Sequence, residues 1–101
     1  MEKKIHSLVQ IDARFEAHVR EKMDKLEKFL FEDGRMEVYI KKEGPEFLSE
    51  MTVRSKNLNL FVKESSPDLN ASVEGLFDKA KAGVAKAHDR IIDRSHQPAG
   101  K

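Results

Sequence analysis

A chain of 101 residues has room for one domain with a single modest core, and two domains are not expected. Lysine and arginine number 19 against 18 for aspartate and glutamate, so net charge by itself gives no reason to expect a nucleic-acid partner. The absence of cysteine excludes disulfides and thiol catalysis, and no apolar run has membrane-spanning or signal-peptide character, so we expect a cytoplasmic protein.

The first predicted elements are a strand and a helix. Apolar and polar residues alternate over residues 4–11, which is typical of a strand. Asp12 then has the side chain of a helix N-cap. The residues that follow place apolar side chains on one helical face, at Phe15, Val19, Met23, Leu26 and Leu30. We expect this helix to end near Asp33-Gly34, where glycine can take the left-handed conformation.

Three alternating patterns follow and predict three strands. Their apolar residues are Met36, Val38 and Ile40, then Phe47, Met51 and Val53, then Leu58, Leu60 and Val62. The patterns are separated by Gly44-Pro45 and by a turn near Lys56-Asn57. Such short connections favour an antiparallel meander with one face on the core and one facing water.

A second helix is predicted after Ser65-Ser66-Pro67-Asp68. This segment supplies a capping hydroxyl, a proline for the first helical position and an acid for the first turn. An apolar stripe continues from there to Asp93 or Arg94 through Leu69, Val73, Leu76, Ala80, Val84, Ala87 and Ile91. Residues 95–101 contain Pro98 and Gly100 but no large apolar side chain, so we expect a flexible tail.

The predicted order is therefore β-α-β-β-β-α. Each helix has one apolar stripe and each strand one apolar face, so the two helices should pack on one face of a four-stranded sheet. The fold class is α+β, with a single domain over residues 1–94.

Basic side chains lie beside the apolar stripe on both predicted helices. On the first helix, Lys25 and Lys28 lie on one flank and Lys22 at the edge of the stripe. On the second helix, three basic residues lie within roughly 40° of one another at 100° per residue. These residues are Lys79, Lys86 and Arg90, with Ala82 and Gly83 between them, which would leave the helix backbone open to close approach.

Two interpretations of these charges remain open from the residues alone. The first, which the residues alone favour, is a pair of solvated helix faces with ion pairs of Glu21 with Lys25 and Asp24 with Lys28. The second is a polyanion-binding surface, whose affinity would fall steeply with salt. On the open face of the sheet, Tyr39 and Phe61 could stack bases, or else make cross-strand or protein contacts.

No set of residues indicates catalysis or a metal site. The acidic residues lie at surface-helix spacing beside lysine or arginine. The histidines are His6, His18, His88 and His96, and none forms an i,i+4 pair. We therefore expect a protein that is not an enzyme and has no cofactor, metal or small-molecule substrate.

Three segments of the chain resemble the ribosome hibernation promoting factor family, also described as ribosome-associated inhibitor A or protein Y, in its short form. They are Val9-Gln10-Ile11-Asp12, the run Lys22-Met23-Asp24-Lys25-Leu26-Glu27-Lys28-Phe29, and residues 68–79. The resemblance covers about residues 4–92. It implies a cytoplasmic factor that binds the 16S rRNA decoding channel of the small ribosomal subunit in stationary or stressed cells. There it would block mRNA and tRNA, inhibit translation and preserve inactive 70S ribosomes.

Carried over by position, the resemblance implies that certain lysines face ribosomal RNA. They are Lys22, Lys25, Lys28, Lys79 and Lys86, and Arg90 joins them because it lies on the same predicted ridge. The second helix departs from the family at Ala80, where a larger apolar residue is usual. It also departs at Ala82, Gly83 and Ala85, where longer polar or basic side chains are common, so its RNA-facing surface is thinner.

Two alternative functions remain: a double-stranded RNA-binding module, and a protein-interaction module that uses the Tyr39 and Phe61 face. We expect a protein that is monomeric off the ribosome. The tail is far shorter than the extra domain through which long-form members pair ribosomes. Whether this chain promotes ribosome dimers or stabilises single 70S particles does not follow from its sequence, nor does the stress that induces it.

Overall fold

The computed structural model describes residues 1–30, 33–56 and 58–96, and it describes side chains as far as residue 87. Asn57 of the predicted turn and residues 97–101 of the predicted tail therefore lie outside the described residues. Residues 95–96, which were also predicted to belong to the tail, continue the second helix.

The element order β-α-β-β-β-α is confirmed, and the fold is α+β. The elements are β1 (Glu2–Ser7), α1 (Ala13–Glu27), β2 (Gly34–Glu43), β3 (Glu46–Ser55), β4 (Leu58–Ser66) and α2 (Leu69–His96).

The strands form one four-stranded sheet in the order β1-β2-β3-β4. The predicted antiparallel meander is present in β2, β3 and β4, whereas β1 pairs with β2 in parallel because α1 crosses over between them. The register aligns apolar side chains across the sheet: Ile5 lies opposite Val38, Val38 opposite Met51, and Met51 opposite Val62. These rows form the face on which the helices pack.

The core lies between this face and the two helices. The buried side chains of α1 are Val19, Met23 and Leu26. Those of β2 and β3 are Met36, Val38, Ile40, Met51 and Val53. From α2 the buried side chains are Val73, Leu76, Phe77, Ala80 and Val84, and this helix packs on β3 and β4. As far as Val84, the apolar stripes predicted from the sequence therefore face the core, and both helices lie on one side of the sheet. The side chain of Ile91 lies outside the described residues.

Two buried serines connect β3 to the first turn of α2. The Ser49 hydroxyl donates to the Ser72 carbonyl oxygen at 3.0 Å and lies 3.2 Å from the Ser72 hydroxyl. The Ser72 hydroxyl lies 3.0 Å from the Leu69 carbonyl oxygen and donates to it. Both serines are fully buried, so these contacts satisfy groups that would otherwise be costly to bury.

The first strand is shorter than predicted and lies earlier in the chain, since β1 ends at Ser7. The Ser7 hydroxyl donates to the Val9 carbonyl oxygen at 2.6 Å and accepts from the Val9 amide at 3.2 Å. This local turn ends the strand and leaves Leu8 87% exposed. Val9 still packs against the core, which explains the alternation in the sequence.

The predicted end of the first helix at Asp33-Gly34 is wrong. Helix α1 ends at Glu27, and its last turn tightens through bonds from the Phe29 amide to Leu26 and from the Leu30 amide to Glu27. Gly34 begins β2 and has no positive φ. A Cβ at Gly34 would lie 2.1 Å from the Arg54 carbonyl oxygen, so glycine is required there for close strand approach.

The predicted start of the second helix is also partly wrong. Ser65 and Ser66 belong to β4, and Pro67 precedes the helix. Asp68 is the cap, because its carboxylate accepts from the Ala71 amide at 2.8 Å and its carbonyl accepts from the Ser72 amide at 3.0 Å. At the other end, α2 extends to His96, beyond the predicted end at Asp93 or Arg94.

Candidate nucleic-acid interface

The Asp12 cap determines which side chains of α1 face α2. Its carboxylate accepts from the Phe15 amide at 2.7 Å and so begins the helix at Ala13. With Val19, Met23 and Leu26 in the core, one flank of α1 faces α2 and the other faces β1. Lys22, Lys25 and the exposed ring of Phe29 lie on the flank toward α2.

A groove of about 110 Å³ lies between the two helices. We call it the inter-helix groove and define it by its lining residues, which are Lys22, Lys25, Leu26, Phe29, Phe77, Asp78 and Lys81. Phe77 is 7% exposed and Leu26 is 4% exposed, so they form an apolar floor. Three ammonium groups and one carboxylate therefore border a small apolar surface.

Lys22 is the least exposed of the predicted RNA-binding lysines whose side chains the structure describes. Its ammonium lies 2.7 Å from the Glu74 carboxylate of α2 and 5.8 Å from the centre of the Phe77 ring, within cation–π range. The side chain is 22% exposed, which fits the predicted position at the edge of the apolar stripe. Lys22 thus connects the two helices.

Glu74 is the carboxylate that organises this junction. It accepts from Lys22 and also lies 3.1 Å from Nε2 of His18 on α1. The Lys22 ammonium, followed by His18, holds the pKa of Glu74 below its usual value, although burial opposes this shift. The charges of Lys22 and Glu74 therefore compensate each other within the fold.

Lys25 and Lys28 are exposed on the outer surface of α1. The predicted pair of Glu21 with Lys25 is present at 3.3 Å, and both side chains are about two-thirds exposed. The predicted pair of Asp24 with Lys28 is absent, because Asp24 instead binds Lys3 of β1 at 2.7 Å. Among the residues that the structure describes, no carboxylate forms a salt bridge with Lys28.

Lys79 and Lys86 lie on the opposite flank of α2 from the inter-helix groove. The Lys79 ammonium donates to the Glu64 carboxylate and to the Lys63 carbonyl oxygen of β4, both at 3.1 Å. Lys86 is exposed and makes no salt bridge within the described part of the chain. The side chain of Arg90 lies outside the described residues. The predicted site residues thus do not form one cluster.

The predicted approach of an outside partner to Gly83 is wrong. A Cβ at this position would lie 2.7 Å from Cδ1 of Leu60 on β4, so the space beside the glycine is filled by the protein's own strand. The small residue allows α2 to lie close to the sheet.

Lys81 and Phe29 were not among the predicted site residues. The Lys81 ammonium lies 5.7 Å from the centre of the Phe29 ring, and the ring is 47% exposed. Phe77 follows Glu74 at a spacing of three and Lys81 follows Phe77 at a spacing of four, so the three residues share the α2 face toward α1. That spacing was available in the sequence, but the predicted ridge with Lys79 and Lys86 lies on the other flank of α2.

The two aromatic residues of the open sheet face differ in their contacts. The Tyr39 ring stacks on His6 of β1 with centroids 4.7 Å apart, and its hydroxyl donates to Glu37 at 2.8 Å. The Tyr39 hydroxyl and then His6 hold the pKa of Glu37 below its usual value. Phe61 is 57% exposed, and β3 separates it from Tyr39. Tyr39 thus makes the cross-strand contact that the sequence left open.

The described residues contain neither a cluster of metal ligands nor a membrane-spanning helix. Within that part of the chain, no three His, Asp and Glu side chains are placed to hold a metal ion. None of the helices described there is long and apolar enough to cross a bilayer.

Comparison with known proteins identifies the family. The family model described as sigma 54 modulation protein / S30EA ribosomal protein matches residues 4–92. The chain belongs to this family. The resemblance drawn from the sequence is thereby confirmed, and the family is one of ribosome-associated factors rather than a known class of enzymes. No curated relative matches the sequence.

Two solved structures are similar to this chain. The N-terminal domain of Protein Y from Thermus thermophilus has a TM-score of 0.73 and 20% identity, covering 85% of this chain and 98% of that one. A ribosomal subunit interface protein from Coxiella burnetii has a TM-score of 0.76 and 14% identity, covering 88% and 99%. At these identities the likeness establishes the fold.

Proposed function

We propose that the protein is a ribosome hibernation factor. It acts in the cytoplasm as a monomeric domain, formed by residues 1–94, that binds the small ribosomal subunit at the 16S rRNA decoding channel. There it blocks mRNA and tRNA binding, inhibits translation and preserves inactive 70S ribosomes under stress or in stationary phase. It performs no catalysis.

The match of residues 4–92 to a ribosomal protein family carries this proposal. The names of the two structural neighbours, one of them a subunit interface protein, point in the same direction. The charge distribution is compatible with it, because both helices present exposed lysines on the side away from the sheet. A surface with spaced ammonium groups suits the phosphates of a structured RNA.

The proposed RNA-binding residues contribute unequally. Lys28 and Lys86 are exposed and have no salt bridge within the described part of the chain, and Lys25 has a weak, exposed pair with Glu21. Lys22 and Lys79 must first release the carboxylates of Glu74 and Glu64. Arg90 remains in the proposed set because of its position on α2. Lys22 and Lys79 therefore bind RNA with a larger penalty than Lys25, Lys28 and Lys86.

Co-sedimentation with ribosomes in sucrose gradients tests the proposal. We expect the wild-type protein in the 30S and 70S fractions at low salt and its release at high salt. The double variant Lys25→Glu, Lys86→Glu should remain at the top of the gradient.

A matched control is available on the open sheet face. The double variant Lys4→Glu, Lys41→Glu changes the net charge equally, but both residues project from the other side of the sheet. We expect it to sediment with ribosomes as the wild type does. Absence of the wild-type protein from the 30S and 70S fractions at low salt would refute the proposal.

Gel shifts distinguish the main alternative function. A double-stranded RNA-binding module would bind bare duplex RNA as tightly as it binds ribosomes, because such modules recognise the shape of the duplex. We expect ribosomes to be bound more tightly than duplex RNA at equal salt.

A further inference from the structure

We infer that the inter-helix groove holds one unpaired RNA nucleotide, with its base against the Phe29 ring and its phosphate between Lys25 and Lys81. This inference rests on the proposed function and adds a specific contact to it. The occupant is a single-stranded nucleotide rather than a base-paired one, since a paired base has no free face to offer Phe29.

The first observation is the exposure of Phe29. The apolar side chains before it on α1, at Val19, Met23 and Leu26, are at most 4% exposed, whereas Phe29 is 47% exposed. The tightened turn after Glu27 places the ring beside α2 rather than beneath it. An aromatic face open to solvent at the edge of a basic groove is the feature on which unpaired bases stack.

The second observation is the charge around this ring. Lys81 lies over it at 5.7 Å, and Lys25 borders the same groove. Both side chains of the Lys25–Glu21 pair are exposed, so the pair is weak and a phosphate can displace Glu21 from Lys25. Among the described residues that line the groove, Asp78 is the one carboxylate, and the charge of Lys22 is compensated by Glu74. The groove thus favours an anion beside an apolar surface.

The third observation is size. At about 110 Å³ the groove is well below the roughly 300–1,000 Å³ of pockets that enclose small-molecule ligands. A groove of this size can hold one flat group, such as a base stacked on the Phe29 ring, while the rest of the ligand stays outside. When the base covers the Phe29 ring, the Lys81 ammonium moves from the ring to the phosphate.

Fluorescence anisotropy with a labelled single-stranded oligoadenylate of eight nucleotides tests the inference on the full chain. We expect Phe29→Leu to weaken binding about tenfold, because base–aromatic stacking is lost while charge and approximate volume are kept. Lys81→Gln should weaken binding several-fold. The matched control is Phe61→Leu, which removes an exposed phenyl ring from the other face and should leave binding within about twofold.

A self-complementary RNA duplex serves as the second probe. If the duplex binds as tightly as the single strand, or if Phe29→Leu and Phe61→Leu bind alike, the groove acts only through charge and the inference is wrong. Failure of the wild-type protein to bind the oligoadenylate also overturns it. Thermal melting of each variant excludes loss of fold as the cause.

Gradient sedimentation separates this inference from the proposed function. If the wild-type protein and the Phe29→Leu variant sediment with ribosomes to the same extent, the nucleotide contact is wrong and the proposed function still holds. Wild-type protein absent from ribosomes would overturn the proposed function itself, whatever the oligonucleotide shows.

Discussion

Lys22 differs from Lys25 because its carboxylate partner lies on the other helix and the pair is less exposed. It lies between Glu74 and the Phe77 ring at the junction of the helices. Its methylenes cover apolar surface while its ammonium holds α2. The main role of Lys22 is therefore to hold the two helices together, and RNA binding is its secondary role.

Replacement of Lys22 should accordingly cost stability. We expect Lys22→Gln to lower the free energy of unfolding by about 0.5–1 kcal/mol, since a half-buried pair and its packing are lost. Lys25→Gln should change it by less than about 0.5 kcal/mol, because the pair with Glu21 is exposed. Urea unfolding measures both, and equal losses would contradict the structural role of Lys22.

The junction also predicts a dependence on pH. Because Lys22 lowers the pKa of Glu74 in the folded protein, the ordinary value of 4.5 applies only to the unfolded chain. The stabilisation is therefore present above pH 4.5 and is lost as the pH falls through the lower folded-state pKa. We expect Glu74→Gln to melt below wild type at pH 7, and this difference should shrink steadily as the pH falls below 4.5. A difference that widens on acidification would contradict this assignment.

Strand β2 is bounded by two glycines that are required for different reasons. Gly34 leaves room for the Arg54 carbonyl oxygen, whereas Gly44 has a φ of 59° in the hairpin turn and open space around it. The first requirement is steric and the second conformational.

Paired substitutions separate the two requirements. We expect Gly34→Asn to destabilise the protein by about 1–3 kcal/mol, since a backbone oxygen cannot move aside easily. Gly44→Asn should cost under about 1 kcal/mol, because asparagine tolerates the left-handed region. Thermal unfolding gives both values, and equal costs would show that the two sites do not differ in this way.

The elements were predictable where their signal is local and periodic. Alternation at Met36, Val38 and Ile40 identified a strand, and the spacing of Val19, Met23 and Leu26 identified a helix. The ends of the helices and strands depend on contacts that the alternation of residues does not show. Examples are the hydrogen bond of the Ser7 hydroxyl to the Val9 carbonyl oxygen and the close approach of the Arg54 carbonyl oxygen to Gly34. The same reason explains why Ser49 and Ser72 were missed.

The candidate site was predictable only as a set of residue types. The helical projection placed lysines beside the core stripe, as observed, but it could not show which flank of α2 faces α1. Lys81 meets Phe29 only because the crossover places the two helices side by side, so this groove depends on topology.

The whole molecule places both helices, with the exposed Lys25, Lys28 and Lys86, on one side of the sheet and a surface of mixed charge on the other. This arrangement predicts which lysines control the salt dependence of ribosome binding. We expect Lys28→Gln to reduce the slope of log affinity against log salt by roughly 0.7–0.9, the value for one phosphate contact. Lys22→Gln should reduce it by less, because Glu74 already neutralises that ammonium.

Binding titrations at several salt concentrations provide the slopes. Lys41→Gln, on the open face, is the control and should leave the slope unchanged. If all three variants shift the slope equally, net charge rather than the helix surface governs the interaction.

The contact of Lys79 with the Lys63 carbonyl oxygen has a consequence for solubility. Strand β4 lies at the margin of the sheet, where unpaired backbone groups invite another chain to add a strand. The Lys79 ammonium occupies one such carbonyl and places a charge beside it, which discourages self-association. Loss of ribosome binding by a Lys79 variant can therefore result from aggregation as well as from the loss of an RNA contact. Light scattering of the variant distinguishes these two causes.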